Sequence, residues 1–396
     1  MTTAGSGKKT HLFEFRGSGG EYFKIWIVNI LLSILTLYIY SAWAKVRTNR
    51  YFYGNTYVAD SSFEYHATPM QILKGRIIAV ILLIIFVVAN QIFPLATVVL
   101  VALLFLVTPW IIWRSLIFNA RMSSYRNVRF NFIGKCFPVY NYLFFIPLIP
   151  LLIAAAVAGA AYMSGNTEMI PFALAAGFVV VYLLYPLTRR LLTSYSIDNA
   201  KYGNSQFKST LNTSTFYKIY LKMIGLSILV YVLVVILLTG AAFLANSLGL
   251  FPDGEMPDMQ NPEELFASPM MGPLMIAAAL MYIGLIALGF LIAAYLTSRM
   301  RNYTYSNTVL DNRVQLASFA PARSIWWLQL SNFLLLIITL GLAYPWTKVR
   351  SARFYARHTS ITAESLDGFI SDQVQYQSSL GDEIGEAFDL DVGLGI

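Results

Sequence analysis

The chain has 396 residues, of which 57% are hydrophobic and only 12% are charged. A soluble domain averages roughly 45–50% apolar and about 25% charged residues, so this composition excludes an ordinary water-soluble globule. In a membrane protein, a net charge of +8 indicates orientation and contact with anionic lipid before it indicates nucleic acid, and no nucleic-acid partner is predicted. The single cysteine, Cys136, excludes an intrachain disulfide.

The first predicted elements are a polar cytoplasmic N-terminal segment, residues 1–24, and a weak apolar segment, Ile25–Ala42. The N-terminal segment lacks the apolar stretch and the small-residue cleavage site of a secretory signal. The apolar segment has a base on each side, Lys24 before it and Lys45 after it. Three interpretations stay open: the segment crosses the membrane fully, it enters from the cytoplasmic face and returns, or it lies in the interface.

Six stronger apolar runs follow, each long enough to cross a hydrocarbon core of about 30 Å as a helix. The loops on one side of these runs are rich in Lys and Arg, whereas those on the other side are short and uncharged or acidic, as at residues 252–266. The positive-inside rule therefore predicts a multi-pass protein of the bacterial inner membrane with its basic loops in the cytoplasm. The predicted spans are Ile77–Phe93, Leu95–Trp113, Val139–Met163, Ile170–Leu187, Ile219–Asn246 and Leu274–Thr297.

The four cytoplasmic loops share a pattern, in which a polar-aromatic stretch and an Asn precede alternating, strand-like residues. The first loop reads "RYFYGNTYVADSSFEYHAT" and the fourth reads "RNYTYSNTVLDNRVQLAS". Turn signals such as Asp-Ser-Ser and Asp-Asn between Tyr, Val, Phe and Thr predict short β-hairpins, which we expect to pair into a modest sheet. The predicted fold class is an all-α polytopic membrane bundle, with six full spans, two terminal apolar segments and short cytoplasmic β-hairpins.

The second terminal segment, Ile325–Tyr344, leads into a duplicated phrase. "TLYIYSAWAKVRTNRYFYGNT" begins at Thr36, and "TLGLAYPWTKVRSARFYARHT" begins 303 positions later at Thr339. If both terminal segments crossed fully, the two copies would lie on opposite sides of the membrane, against the charge rule. Re-entry from the cytoplasm would instead place both copies at equivalent positions on one face. We predict a membrane domain over residues 25–359, with internal repeats at 29–56 and 332–359.

Each copy contains a Trp followed by bases, the composition of a headgroup anchor at the membrane interface. Each also contains an Asn within its apolar segment, Asn29 or Asn332, and an unpartnered amide in hydrocarbon is costly. We predict that these two residues form an intramembrane polar pair, which either packs helices together or lines a substrate path. The predicted anchors are Trp43, Lys45, Arg47, Arg50, Trp346, Lys348, Arg350 and Arg353.

The last predicted element is an acidic C-terminal tail, residues 360–396, which ends in "GDEIGEAFDLDVGLGI". Because its acids could meet the basic loops, we expect the tail to dock on them, with Phe388 as an anchor.

The opening "FEFRGSGGEYFKIWIVNILLSILTLYIYSAWAKVRTNRYFYGNT" and the acidic ending resemble the YjgN-type family of bacterial inner-membrane proteins, a domain family of unknown function. The resemblance covers essentially the whole chain. It implies a membrane location and carries no activity. The chain departs from the family at Tyr38 and Ala42, where the family often has Gly and Pro, while the second copy keeps both as Gly341 and Pro345. This departure predicts a less sharp break in the first terminal segment.

No motif predicts an enzyme. A phosphate loop, a dinucleotide turn, a zinc-ligand spacing and a nucleophile elbow are all lacking in the sequence, so no cofactor, metal or catalytic residue is predicted. Repeats, terminal segments that could be re-entrant, and proline-broken helices favour a transporter or channel-like protein for a small solute or lipid. The alternative is a non-catalytic membrane scaffold or envelope-associated factor that binds anionic lipid headgroups or a cytoplasmic partner through its basic loops.

Overall fold

The fold is known from a computed structural model, which describes residues 7–92, 94–247 and 271–366. Across these ranges a strand, an outgoing helix, a returning helix and a second strand follow one another, and this order occurs five times. The strands are β1 (Lys9–Phe15), β2 (Thr56–Val58), β3 (Ser61–Tyr65), β4 (Ser123–Tyr125), β5 (Val128–Phe132), β6 (Ala200–Tyr202), β7 (Ser205–Ser209), β8 (Thr308–Leu310), β9 (Val314–Ser318) and β10 (Thr359–Ala363).

The helices come in pairs between these strands, and in the third pair the outgoing helix is interrupted by a π-helical turn, Asn141–Phe145. The helices are α1 (Gly19–Leu35), α2 (Ser41–Gly54), α3 (Pro69–Ile92), α4 (Pro94–Arg121), α5 (Cys136–Tyr140), α6 (Ile146–Met163), α7 (Met169–Asp198), α8 (Thr213–Ser247), α9 (Met271–Ser306), α10 (Ala322–Ile338) and α11 (Tyr344–Arg357).

The strands form one closed antiparallel barrel, in the order β1-β10-β9-β8-β7-β6-β5-β4-β3-β2 and back to β1. β1 closes it by pairing with β10 through Lys9 and Ala363, and with β2 through Phe15 and Thr56. The longest strand, β1, has 7 residues, whereas a strand that crosses a membrane needs about 9–11. The barrel therefore lies outside the hydrocarbon core, and the sheet is larger than the modest one that the loop sequences predict.

Tight turns connect one strand pair to the next, as the loop sequences predict. Ala59 and Asp60 have φ of 44° and 59°, and Arg126 and Asn127 have φ of 47° and 60°. Positive φ at both central residues is the geometry of type I′ turns, whose twist matches that of paired strands. All four predicted hairpins are present in the described chain: β2–β3, β4–β5, β6–β7 and β8–β9.

Aromatic and branched side chains fill the barrel, and one buried cluster collects side chains from every strand. The ring centroids of Phe63 and Tyr125 lie 4.9 Å apart, and those of Phe130 and Tyr202 lie 5.0 Å apart. The Tyr202 hydroxyl donates to the Tyr125 carbonyl at 2.9 Å, and the Tyr125 hydroxyl donates to the Val58 carbonyl at 2.7 Å. Burial raises the pKa of Tyr202 to about 12, so it stays a neutral donor. The barrel is a packed core rather than a pore.

Backbone hydrogen bonds fasten each strand to the helix that returns beside it. In each strand–helix–helix–strand unit, the residue directly after the first strand donates its N–H to the carbonyl of the residue directly after the returning helix. Three of these acceptor residues are Asn, and their Nδ2 atoms also donate to the carbonyl of a Tyr four residues earlier at 2.8 Å. This explains the Tyr and Asn of the loop pattern. The backbone bonds join Arg16 to Asn55, His66 to Met122, Ile133 to Asn199, Thr210 to Asn307 and Phe319 to His358.

The helices form a ring above the barrel, in which each helix packs on the next along the chain and α11 packs on α1. Six apolar helices in the described residues are long enough to cross a membrane, which confirms a polytopic membrane protein. They overlap all six predicted spans and extend past them on the barrel side, because the polar residues beside each span continue the helix down to a strand. Their ranges are Pro69–Ile92, Thr97–Arg121, Cys136–Met163, Met169–Asp198, Thr213–Leu237 and Met281–Ser306.

The two terminal apolar segments turn back instead of crossing. α1 and α2 join the neighbouring strands β1 and β2, and α10 and α11 join β9 and β10, so both ends of each pair lie at the barrel. α1 has 17 residues and is about 25 Å long, less than the about 30 Å of a hydrocarbon core. If the headgroups lie at the level of Lys24 and Lys74, about 8 Å above the barrel, these short hairpins reach about 17 Å into the membrane.

Both short hairpins turn through the same backbone geometry. The Tyr38 N–H donates to the Ser33 carbonyl at 2.6 Å, and the Gly341 N–H donates to the Leu336 carbonyl at 2.7 Å. The φ angles of Tyr38 and Gly341 are +72° and +87°. The prediction of a less sharp break in the first segment is therefore wrong, because Tyr38 adopts the left-handed backbone that Gly341 adopts without steric strain.

The barrel takes residues from both predicted terminal segments. β1 (Lys9–Phe15) lies within the predicted N-terminal segment, residues 1–24, and β10 extends to Ala363, inside the predicted tail, residues 360–396. The predicted docking of that tail through Phe388, and the acidic stretch at 252–266, lie outside the described residues.

Candidate functional site

A groove lies where the last helix pair meets the first, beside the β10–β1 closure. Ser18 and Gly19 bound it at the start of α1. Its other walls are α10 side chains between Arg323 and Leu328, α11 side chains between Trp346 and Arg357, and His358 directly after α11. Its volume is about 1110 Å³. We call it the seam groove.

Four arginines face the seam groove: Arg323 from α10, and Arg350, Arg353 and Arg357 from α11. Arg353 Nη2 donates to the carbonyl of Gly17 at 3.0 Å, which fastens α11 to the β1–α1 junction. Among the described residues, none of the four arginines lies within ion-pair distance of a carboxylate. The groove therefore carries positive charge that this part of the chain does not neutralise.

Three tryptophans supply the apolar surface of the groove. The Trp326 indole Nε1 donates to the carbonyl of Ala287 at 2.8 Å, so this ring is fixed against α9. Trp327 is 58% exposed and Trp346 is 45% exposed. The ring centroid of Trp346 lies 5.2 Å from that of Phe23 on α1. Exposed indole rings among bases are the composition of a membrane–water interface.

The start of α1 is shaped to receive Trp346. Ser18 Oγ accepts the N–H of Glu21 at 3.2 Å, and a Glu21 carboxylate oxygen accepts the N–H of Ser18 at 3.3 Å, so a capping box satisfies this helix end. A Cβ at position 19 would lie 2.8 Å from Trp346 Nε1. Gly19 is therefore required for the Trp346 ring to lie against the backbone of α1.

The predicted polar pair is placed symmetrically, but each amide is engaged within its own hairpin. Asn29 Nδ2 donates to the carbonyl of Ala44 at 3.4 Å, and Asn332 Nδ2 donates to the carbonyl of Thr347 at 3.5 Å. These contacts are equivalent, since each donor and acceptor pair recurs 303 positions later. Within the described ranges no hydrogen bond joins Asn29 to Asn332.

The remaining hydrogen-bond contacts of these two amides differ. Asn332 Oδ1 accepts from Arg350 Nη1 at 3.3 Å, and its Nδ2 also donates to Ser351 Oγ at 3.1 Å. Asn29 is only 5% exposed, and its Oδ1 has no hydrogen-bond partner. The amide in the first hairpin is thus less well satisfied than its counterpart in the second.

The predicted anchors of the second copy reach the seam groove, whereas those of the first copy lie elsewhere. Trp346, Arg350 and Arg353 line the groove, while the Lys348 ammonium lies 5.6 Å from the Tyr344 ring centroid. In the first copy, Trp43 packs on a buried cluster that includes Ile72 and Phe118. Arg50 Nη2 donates to the carbonyl of Ala67 at 3.2 Å, Lys45 is half-buried and Arg47 is exposed.

Sequence reasoning missed Arg323, Trp327 and Arg357 as groove residues. A basic residue just before the apolar segment and a base at the end of the duplicated phrase are visible in the sequence. Their convergence depends on the pairing of β10 with β1, which no local pattern predicts. Within the described part of the chain, no group of three His, Cys, Asp or Glu residues could hold a metal ion.

A different polar cluster lies at the β3–α3 junction, outside the membrane helices. His66 Nε2 lies 2.7 Å from Ser124 Oγ and 3.6 Å from a Glu64 carboxylate oxygen. Burial lowers the pKa of His66, and the nearby charges of Arg129 and Arg50 lower it further, against the opposing effect of Glu64. The neutral imidazole is therefore the form that suits this site at neutral pH.

Comparison with known proteins agrees with the membrane architecture. The chain is 26% identical over 373 residues to inner membrane protein YjgN of Escherichia coli (strain K12), with 90% of each chain covered. It is 25% identical over 370 residues to inner membrane protein YjgN of Salmonella typhimurium, with 89% of each chain covered. No solved structure matches the chain.

These relatives and the six apolar helices place the protein in the inner membrane as a multi-pass protein. The family model for bacterial proteins of unknown function DUF898 matches residues 10–387. The chain therefore belongs to the DUF898 family.

Proposed function

We propose that this protein is a transporter that moves an amphipathic lipid along the side of its helix ring, with the barrel in the cytoplasm. The observation that carries the proposal is the placement of the two short hairpins, α1–α2 and α10–α11, side by side in the ring. Because their helices have 14 to 17 residues, against 24 to 30 in the six long apolar helices, the ring is open on that side in its distal half. The repeated strand–helix–helix–strand order supports interpreting the chain as five structural repeats.

The barrel argues against a solute path along the ring axis. Side chains from all ten described strands pack together inside it, and a solute on the axis would have to displace them. A channel-like function of the kind considered from the sequence would need an open lumen, and the interior of an aqueous barrel is polar. The packed barrel favours a lipid over a small hydrophilic solute.

The long helices also present apolar surface to all sides at membrane depth. In α3, the five consecutive residues Ile81–Ile85 are each between 49% and 59% exposed. Five consecutive residues cover the whole circumference of a helix, at about 100° each. The inner and outer faces of α3 are therefore both apolar and exposed, which suits a lipid-filled ring and not a water-filled one.

The short hairpins supply the polar surface that a headgroup needs beside this apolar ring. Thr36 and Asn332 lie in them and are half-buried, and the bases Lys45 and Lys348 lie in their returning helices. The two short hairpins form a low wall that carries polar groups, and this wall shortens the distance through hydrocarbon that a headgroup must cross. The cost of moving a polar group through hydrocarbon rises with the depth it crosses without partners.

The test is lipid movement between leaflets in reconstituted vesicles, followed by chemical quenching of fluorescent lipids in the outer leaflet. We expect quenching beyond the outer-leaflet fraction, while entrapped hydrophilic dyes stay inside. The double variant Leu37→Lys with Leu340→Lys should abolish movement, because each Lys at the hairpin tip costs about 2.5–3.5 kcal/mol at membrane depth. Both leucines are highly exposed, at 89% and 92%.

The matched control is Leu12→Lys with Phe319→Lys, which adds the same charge to exposed positions of 52% and 51% at the barrel. This control should move lipid like the wild type. Dye leakage without lipid movement would overturn the proposal in favour of a solute channel. The absence of both, together with a stable co-purifying partner, would favour the scaffold alternative.

A further inference from the structure

We propose that the seam groove is a binding site for the headgroup of an anionic glycerophospholipid. The inference deepens the proposed function by naming the lipid class and the place where it binds, and it rests on that function only for what happens to the lipid afterwards. Three properties of the groove carry it: its charge, its mixed lining and its position.

The charge of the groove matches a phosphate. Arg323, Arg350, Arg353 and Arg357 converge on it with no carboxylate partner in the described ranges. The planar guanidinium group donates two parallel hydrogen bonds to phosphate oxygens, and basic pockets beside membrane helices on the cytoplasmic side bind anionic headgroups. The nearest acid on α1, Glu21, is already engaged by the Ser18 N–H and the Tyr51 hydroxyl.

The apolar lining distinguishes a lipid from free phosphate. Trp327, Leu328 and Phe354 line the same groove as the arginines, and a free phosphate has no group that would contact them. A volume of about 1110 Å³ also exceeds the about 300–1,000 Å³ typical of small-molecule pockets. A headgroup with its glycerol and the first part of its acyl chains provides both the charge and the apolar surface.

The position of the groove places it where a lipid arrives from the cytoplasmic leaflet. Lys24 on α1 marks the headgroup level about 8 Å above the barrel, and the groove begins at Ser18 and Gly19, just below that level. The groove belongs to the pair of short hairpins, on the open side of the ring. A lipid bound here would lie at the foot of the proposed path.

The duplicated first copy provides a matched control. Arg47 in the first copy corresponds to Arg350 in the second. Lys74 lies on α3, the helix that packs beside the first copy. In the same way, α1 packs beside the second copy because β1 pairs with β10. Both residues are exposed, so removing them lowers the charge of the same face by the same amount. The difference is that neither lines the seam groove.

The experiment measures lipid binding to the purified full-length protein by native mass spectrometry in detergent. The probes are phosphatidylglycerol, phosphatidylcholine and inorganic phosphate, added in separate titrations. We expect the wild type to prefer phosphatidylglycerol. The double variant Arg323→Gln with Arg357→Gln should bind it about 30-fold more weakly, at about fivefold for each base removed. The control, Arg47→Gln with Lys74→Gln, should change binding less than about threefold.

Several outcomes would overturn the site. They are equal binding of phosphatidylcholine, displacement of the lipid by inorganic phosphate at equal concentration, and equal losses in the two double variants. Arg323 and Arg357 have no hydrogen bond that the fold needs in the described residues, and an unchanged size-exclusion profile checks that the variant is folded. Lipid movement without selective binding would refute the site and leave the proposed function standing. Selective binding without lipid movement would support the site and refute the proposed function.

Discussion

The two equivalent asparagines should respond with opposite signs to the same substitution. Asn29→Leu removes one long hydrogen bond, from Nδ2 to the carbonyl of Ala44 at 3.4 Å, and a buried Oδ1 that has no partner. Such a bond contributes about 0.5–1.5 kcal/mol, and a buried unsatisfied acceptor costs about 1–3 kcal/mol. The difference favours the variant, so Asn29→Leu should raise the free energy of unfolding by about 1 kcal/mol.

Asn332→Leu instead removes hydrogen bonds with Ser351 Oγ at 3.1 Å and with Arg350 Nη1 at 3.3 Å. It should lower the free energy of unfolding by about 1–2 kcal/mol. Leu has the same number and branching of side-chain heavy atoms as Asn, and the same substitution at both positions adds the same volume, so the comparison isolates the difference in polar contacts. The separation between the two variants is thus about 2–3 kcal/mol.

The assay is unfolding of the detergent-solubilised protein with a denaturing detergent, followed by tryptophan fluorescence. The corresponding Ala variants at both positions control for lost side-chain volume. Equal destabilisation by Asn29→Leu and Asn332→Leu would refute the reasoning, because it would mean that the Asn29 amide makes stabilising contacts equal to those of Asn332.

Three further predictions concern local features. Tyr38→Gly should stabilise by up to about 1 kcal/mol in the same assay, because φ is +72° at Tyr38; unchanged stability would contradict strain there. Gly177→Leu should destabilise by about 1–3 kcal/mol, since a Cβ at that position would lie 2.5 Å from the Ala154 Cβ, and adding Ala154→Gly should recover part of the loss. Stability should fall as pH drops below the ordinary His pKa of 6.5, because the pKa of folded His66 is lowered and the unfolded chain binds the proton first; a His66→Gln variant with the same pH slope in thermal unfolding would refute this.

Local patterns in the sequence predict the membrane spans and the hairpin turns but not the closure. The apolar runs predict α3 to α9, because chain length and hydropathy alone decide whether a helix can cross. Asp60 and Asn127 mark turns because these residue types tolerate positive φ. The strands β1 and β10 pair only with partners far away in the chain, so their short sequences carry no local signal.

The seam groove depends on that closure, and so its residues could be predicted only in part. The repeated Trp and Arg of the second copy point to Trp346, Arg350 and Arg353, yet the corresponding residues of the first copy do not line the seam groove. What differs is the neighbouring helix: α1 begins with Gly19, against which Trp346 packs, and α3 begins with Pro69. The sequence position of a motif thus says less than the surface against which it folds.

The pairing of β1 with β10 has a consequence for the biosynthesis of the protein. β1 leaves the ribosome before all the other described strands and β10 leaves it last, so the barrel stays open until translation reaches Thr359. Until then, β1 and β9 each have an unpaired edge, and such edges pair readily with other chains. A chain released before that point would keep both edges exposed and lack β10. Removal of the aggregation-prone edges and assembly of the groove therefore occur together, when β10 pairs with β1 and β9.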